Sequence, residues 1–413
     1  MRIRSSSVPV ARPPLRALSA TAVALVLALA GCGTSSESKP SPQGTPGQQG
    51  FTPPQVEITK SLGKGEGAVN ILAWPGYAED GSNDPKVDWV SAFEKETGCQ
   101  ATVKYFGTSD EAVSLMRTGD YDVVSASGDA SLRLIAAGTV APFNTELAPN
   151  YADVSGFLKD QSWNSAAGQM YGMPHGWGAN LLMYNTKVVK PAPTSWAAVF
   201  DDAASYKGKV TAYDSPIYIA DAALYLKETQ PDLGIKNPYA LDQKQLDAAV
   251  AVLKKQRANI GEYWSDYTKE VSAFKAGSTV IGTTWQVIAN IASADAPVKA
   301  FLPDEGSTGW SDTWMVAAKA KHPNCAYLWA NHIVSPQANA QVAEYFGEAP
   351  ANLKACRLTT DKGFCKAYHA DDEAYAKKIW YWSTPIKQCL DGRTSTTCTD
   401  YAAWTTAWQQ IKG

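Results

Sequence analysis

Between residues 68 and 124, apolar runs of strand length alternate with amphipathic helical stretches, a pattern that few folds other than an open α/β sheet can accommodate. Ala68 to Trp74 (AVNILAW) is the first run. Asp84 and Pro85 then supply a cap and a first-turn residue, Val87, Val90 and Phe93 fall on one helical face, and Gly98 is the stop. Ala101 to Phe106 reads as the second strand. Ser109 caps a second helix with Asp110 and Glu111 in its first turn and Gly119 at its end, and Tyr121 to Val124 is the third strand. Strands separated by single helices pair in parallel through crossovers, giving an α/β sheet. Such sheets bind ligands beyond the carboxyl ends of their strands. The candidates are therefore Trp74, Pro75, Gly76 and Tyr77 after the first strand, and Ser127 and Asp129 after the third. Later, Gly208 to Tyr213 runs into Asp214, Thr279 to Thr284 runs into Trp285, and an extended segment places Trp310 two residues before Asp312.

This mixture of rings and acids has a chemical meaning. A buried carboxylate without a partner is costly, so an acid in a cleft awaits a cation. Aromatic faces attract ammonium groups by roughly 0.5 to 2 kcal/mol each and also cover the methylenes between amines. The expected ligand is therefore amine-bearing and partly aliphatic. Trp89, Trp196, Trp329, Trp404 and Trp408 read as core instead. Catalysis has little support: there is no G-x-S-x-G, no H-E-x-x-H and no phosphate loop. His175, His322, His332 and His369 are scattered without metal-ligand spacing and read as packed or solvated residues, so neither a metal nor a cofactor is expected.

The N-terminus reads as an export signal. Arg2, Arg4, Arg12 and Arg16 precede an apolar run from Ala17 to Ala30, too short for the roughly 20 residues of a spanning helix. Leu29-Ala30-Gly31-Cys32 resembles the lipobox of bacterial lipoproteins, which implies that residues 1–31 are removed and Cys32 carries lipid. Residues 32–65 then form a flexible Ser/Pro/Gly/Gln spacer. Removing the signal strips four arginines and takes the formal charge from −3 to −7, which argues against nucleic acid. The roughly 350 residues that remain exceed one core and predict two lobes. Six cysteines in an exported chain read as three disulfides. Of 15 connectivities, short spacing favours Cys356 with Cys365 and Cys389 with Cys398, leaving Cys99 for Cys325.

From about residue 67 onward the chain resembles the spermidine/putrescine-binding proteins of ABC importers, in the extracellular solute-binding superfamily. The segments stand in order: Trp74-x-x-Tyr77, FEKETG (93–98), YDVV (121–124), MPHGWGANLLMYN (173–185), TSW (194–196), YKGKV (206–210) leading to Asp214, VIGTTW (280–285), and LPDEG before Trp310-Ser311-Asp312. The resemblance implies a periplasmic-binding-protein type II clamshell, each lobe a mostly parallel sheet flanked by helices. Lobe one would hold residues 66–176 and 303–378, lobe two 177–302 and 379–413, with hinges at Gly176–Leu181 and Phe301–Asp304. It also implies a pocket with Trp74 and Tyr77 as walls, Ser127 as a polar contact, Asp214 as an acid for an amine, Trp285 and Trp310 as further rings, and Asp312 gripping a terminal ammonium. Departures are visible. Pro75 and Gly76 replace a polar-acidic pair, Asp129 stands where a tyrosine is expected, Ile217 replaces a second acid, Glu348 falls near another expected tyrosine, and no glutamine stands around Trp380 to Thr384. The implied protein is a monomeric, lipid-anchored receptor on the outer face of the cell membrane or in the periplasm, passing an amine solute to an ABC permease. The alternatives are a receptor for an amino acid, opine-like conjugate or sugar, and a lipoprotein hydrolase.

Overall fold

The computed structural model describes residues 52–413 apart from Asn83. The signal segment, Cys32 and the spacer up to residue 51 lie outside the described residues. In chain order the strands are β1 (Ala68–Ala73), β2 (Gln100–Tyr105), β3 (Val123–Ala126), β4 (Ser165–Ala166), β5 (Gln169–Met170), β6 (Met173–Ala179), β7 (Leu181–Asn185), β8 (Val210–Tyr213), β9 (Ile260–Trp264), β10 (Ile281–Thr284), β11 (Val298–Phe301), β12 (Ser307–Val316), β13 (Ala349–Pro350) and β14 (Ile379–Tyr381). One sheet runs β13-β6-β12-β3-β1-β2 with β14 also on β12, a second runs β11-β7-β10-β8-β9, and β4 and β5 form a small hairpin. These two sheets, flanked by helices, are the bodies of the two lobes.

β1, β2 and β3 pair in parallel as their alternation with helices requires. Later strands make both sheets mixed. β12 lies antiparallel between β3 and β6, and β7 lies antiparallel between β10 and β11. All ten residues of β12 are buried, although Ser307, Thr308, Ser311, Asp312 and Thr313 are polar.

Local boundaries differ from the sequence reading where a side chain finds another use. The first helix is Val90–Thr97, because Asp84 accepts from the Lys86 backbone N–H in a turn instead of capping a helix. Thr108, not Ser109, caps Ser109–Met116 by accepting from the Glu111 N–H. Asp122 lies ahead of β3 because its carboxylate accepts from the backbone N–H groups of Asn70, Lys321 and His322.

The chain leaves the first sheet at Asn180, between β6 and β7, and returns between β11 and β12. β14, the three residues that follow the expected end of lobe one, still belongs to the first sheet. The chain then crosses a third time to the helix Tyr401–Lys412, which packs on the helix Gln243–Arg257 of the second lobe. Cys99–Cys325 closes a 226-residue separation within the first lobe. Cys356–Cys365 and Cys389–Cys398 each close nine.

Residues 52–65 are not free, contrary to the spacer expected there. Asn144 Nδ2 donates to the Thr59 carbonyl at 3.2 Å and the Gly63 N–H donates to Asn324 Oδ1 at 2.7 Å. Gly65 passes so close to the Cys99–Cys325 bridge that a Cβ there would lie 2.8 Å from Cys99 Sγ.

Candidate functional site

Three of the predicted residues meet at one point in the first lobe. Two-residue spacing puts Trp310 and Asp312 on one face of β12, and the register shift against β6 falls between Asp312 and Thr313. Tyr77 stands just beyond β1 in a turn closed by its own N–H donating to the Trp74 carbonyl, with Gly76 at φ 96°. Glu348 follows the helix Pro336–Phe346, which ends on left-handed Gly347, and leads into β13. The Tyr77 hydroxyl lies 2.7 Å from Asp312 Oδ2 and 2.8 Å from Glu348 Oε2. Glu348 Oε1 is 3.2 Å from His175 Nε2 on β6. Tyr77 and His175 are fully buried, Glu348 is 1% exposed and Asp312 3%.

Burial pushes the Asp312 carboxyl up to about 6, with the Ser127 and Tyr77 hydroxyls pulling it back and the Asp129 charge adding to it. Oδ1 of Asp312 has no hydrogen-bond partner of normal geometry, although the Ser127 hydroxyl is near enough to act on the carboxyl. Burial, then the Asp312 charge, pushes Glu348 well above the usual carboxylate range against the Tyr77 hydroxyl. Burial drives His175 down to about 3, so it is neutral. Asp129, in the first turn of the helix Gly128–Ala136, accepts from Ser109 Oγ at 2.9 Å. Burial lifts it to about 6, against the Ser109 hydroxyl and the Arg133 charge. Among the described residues, no lysine or arginine forms an ion pair with Asp129, Asp312 or Glu348. The cluster is thus acidic and buried, with no cationic side chain paired to it among the described residues.

The second lobe supplies the facing rings. Trp285 caps the helix Gln286–Ser293, and its indole donates to Asn180 Oδ1 at 2.9 Å. Its ring lies 6.2 Å from Trp310, which lies 5.9 Å from Phe346, itself 4.6 Å from Tyr77. Tyr213 extends the series, 5.6 Å from Trp285 and stacked on Trp382 at 5.7 Å. Trp74 is half-buried against Phe106 at 4.4 Å. Between Trp285, Trp310, Glu348, Tyr368 and His369 the remaining space is about 20 Å³, room for a water and not for a solute. The lobes meet over it: Asn290 Nδ2 donates to the Tyr368 hydroxyl at 3.1 Å, and Val287 abuts Gly347.

Asp214 is already engaged elsewhere. Its Oδ1 accepts from Lys412 Nζ at 2.7 Å and from Trp408 Nε1 at 3.0 Å, so the C-terminal helix neutralises the acid expected to take an amine. His175, read from sequence as a packed or solvated residue, lies against the cluster. Tyr213, Phe346 and Trp382 were not singled out, although Tyr213 immediately precedes Asp214. The other histidines have local roles: His322 pairs with Asp122, His332 Nε2 lies 3.1 Å from the Trp89 carbonyl, and His369 stacks on Tyr375 at 3.8 Å.

Comparison with known proteins places this geometry in context. Residues 88–367 match the model of a family described as bacterial extracellular solute-binding protein. The spermidine/putrescine-binding periplasmic protein of Escherichia coli is 26% identical over 297 residues, covering 70% of this chain and 82% of that protein. Among solved structures, a putative spermidine/putrescine ABC transporter protein from Listeria monocytogenes superposes with a TM-score of 0.67 at 19% identity, over 84% of this chain and 99% of that one. The substrate-binding protein of a spermidine/putrescine ABC transporter from Streptococcus pneumoniae gives 0.64 at 20% identity, over 83% and 97%. All three relatives carry names of binding or transport proteins, not of enzymes.

Proposed function

The chain belongs to the bacterial extracellular solute-binding protein family, and from that premise we propose that it is the substrate-binding receptor of an ABC importer for an amine-bearing solute of the polyamine class. The observation that carries the reading is the buried acid cluster of Asp129, Asp312 and Glu348 beside the rings of Tyr77, Trp310 and Trp285. An ammonium placed there supplies the missing positive charge, and the rings cover its methylenes. Ser127 and Trp74 complete the proposed contact set. Asp214 takes no part, because Lys412 already holds it. That loss favours, as a second reading, a solute with a single ammonium end over one gripped at both ends.

Capture proceeds by closure of the two lobes around the solute, about the three crossings at Asn180, between β11 and β12, and beyond β14. The receptor has no catalytic residue, acts as a monomer, and is held by lipid on Cys32 at the outer face of the membrane, where it delivers solute to a permease. Calorimetry of residues 52–413 against putrescine, spermidine, amino acids and a neutral sugar tests the class. Amines are expected to bind well below about millimolar and to change tryptophan fluorescence. Tight binding of the sugar alone would replace the substrate class. The anchor has its own test: Cys32→Ala in the full chain should move the protein out of the membrane fraction, and unchanged retention would count against lipidation.

A further inference from the structure

Tyr77 has one hydroxyl hydrogen and two carboxylate oxygens within 2.8 Å of it. It can donate to only one of them. Were both acids ionised, the other contact would set two bare oxygens against each other among almost fully buried groups, where an unmade hydrogen bond is most costly. The spacing therefore requires a further proton on one of the two carboxyls, which then donates to the Tyr77 oxygen while Tyr77 donates to its partner.

We infer that this proton resides on Glu348, so that Glu348 donates to Tyr77, Tyr77 donates to Asp312, and Asp312 alone stays ionised to receive an ammonium. The inference rests on the amine reading above for the role of Asp312, on the hydrogen-bond geometry for the presence of the proton, and on the surroundings of the two carboxyls for its place. Around Glu348, burial and the Asp312 charge favour the neutral form, and only the Tyr77 hydroxyl favours the ionised one. Asp312 brings a like charge, Tyr77 and Tyr368 bring none, and His175, whose Nε2 stands 3.2 Å from Oε1, is too deeply buried to be cationic. Asp312 is opposed by its burial and by the Asp129 charge, but it has the Ser127 hydroxyl as well as Tyr77 to stabilise its own charge. Glu348 thus acts as a positioning residue. It turns the Tyr77 hydroxyl toward Asp312 and keeps the two carboxyls that share that hydroxyl from both being charged.

Infrared difference spectroscopy of the unliganded protein at neutral pH tests this without any solute. Wild type minus Glu348→Gln should contain the carbonyl stretch of a protonated carboxylic acid, and wild type minus Asp312→Asn should not. A band that is missing from the first difference, or that appears instead in the second, overturns the assignment. Putrescine calorimetry adds a second readout. Glu348→Gln retains an N–H donor for Tyr77 and should lose less affinity than Glu348→Ala, for which a loss of about tenfold or more is expected. Equal losses in the two variants would overturn the positioning role. Because the infrared result needs no ligand, failure of putrescine to bind would count against the amine reading and leave the proton assignment to be judged by the spectrum.

Discussion

Asp312→Asn should weaken amine binding on the order of 10- to 100-fold while leaving the unliganded protein at least as stable as wild type. The loss corresponds to one charge-assisted contact of roughly 1.5 to 3 kcal/mol. The stability follows from the same burial that makes the site selective. Asp312 titrates at about 6 in the fold, above the roughly 3.9 of an unfolded aspartate. The folded state therefore binds more protons than the unfolded state between about pH 4 and 6, and this group makes the fold more stable as pH falls through that window. Asparagine removes the buried charge at all pH values. Affinity moves the opposite way: an alkyl ammonium stays protonated, so binding should decline below about pH 6 as Asp312 and Asp129 are neutralised. Calorimetry and thermal melts across pH 4 to 8 check both signs. A variant that loses stability without losing affinity would remove Asp312 from the binding role.

Gly347→Val should abolish tight binding by holding the lobes apart. Gly347 sits at φ 84°, and a Cβ there would lie 2.4 Å from Cβ and Cγ2 of Val287 on the other lobe. Neither atom is the end of a flexible chain, so the clash is relieved only by retreat of one lobe from the other. Strain from the left-handed conformation adds about 1 to 2 kcal/mol, which is present whether the lobes are open or shut. The two effects separate experimentally. Small-angle scattering should show an expanded particle that amine no longer compacts, with affinity down about 100-fold or more, whereas the melting temperature should fall only modestly. Compaction by ligand equal to that of wild type would show that the Val287 contact does not limit closure.

How much of this could be read beforehand depended on the range of the interactions involved. β1, β2 and β3 and the presence of a helix after each of the first two were legible because apolar runs are local signals, whereas both caps were misplaced. Tyr77, Asp312 and Trp310 were legible because strand ends are where α/β sheets place ligands, and two-residue spacing fixes a shared face. The fate of Asp214 was not, since its neutralisation depends on Lys412, 198 residues away and delivered by a third crossing that leaves no local mark. His175 was equally hidden. A lone histidine in a strand gives no sign of whether it faces solvent or a buried carboxylate, and only the fold sets it against Glu348. Glu348 itself came into view only through the family resemblance, and its role comes from contacts with Tyr77 across 271 residues. The docking of residues 52–65 escaped the reading because composition describes what a segment can do alone, whereas Asn144 and Asn324 supply the partners.

The chain crosses between its two sheets three times, and this settles an order of events during its making. β1 to β3 emerge first but cannot complete their sheet until β12 fills the gap between β3 and β6, and Cys99 cannot meet Cys325 until more than two hundred further residues exist. The second lobe lies wholly inside that interval except for the helix Tyr401–Lys412, the last element of all. Trp404, Trp408 and Ile411 of that helix are buried. The first lobe can therefore close its sheet once β14 has been made, whereas the second waits for this helix, and a stop near residue 400 would leave the second lobe and Asp214 without these partners.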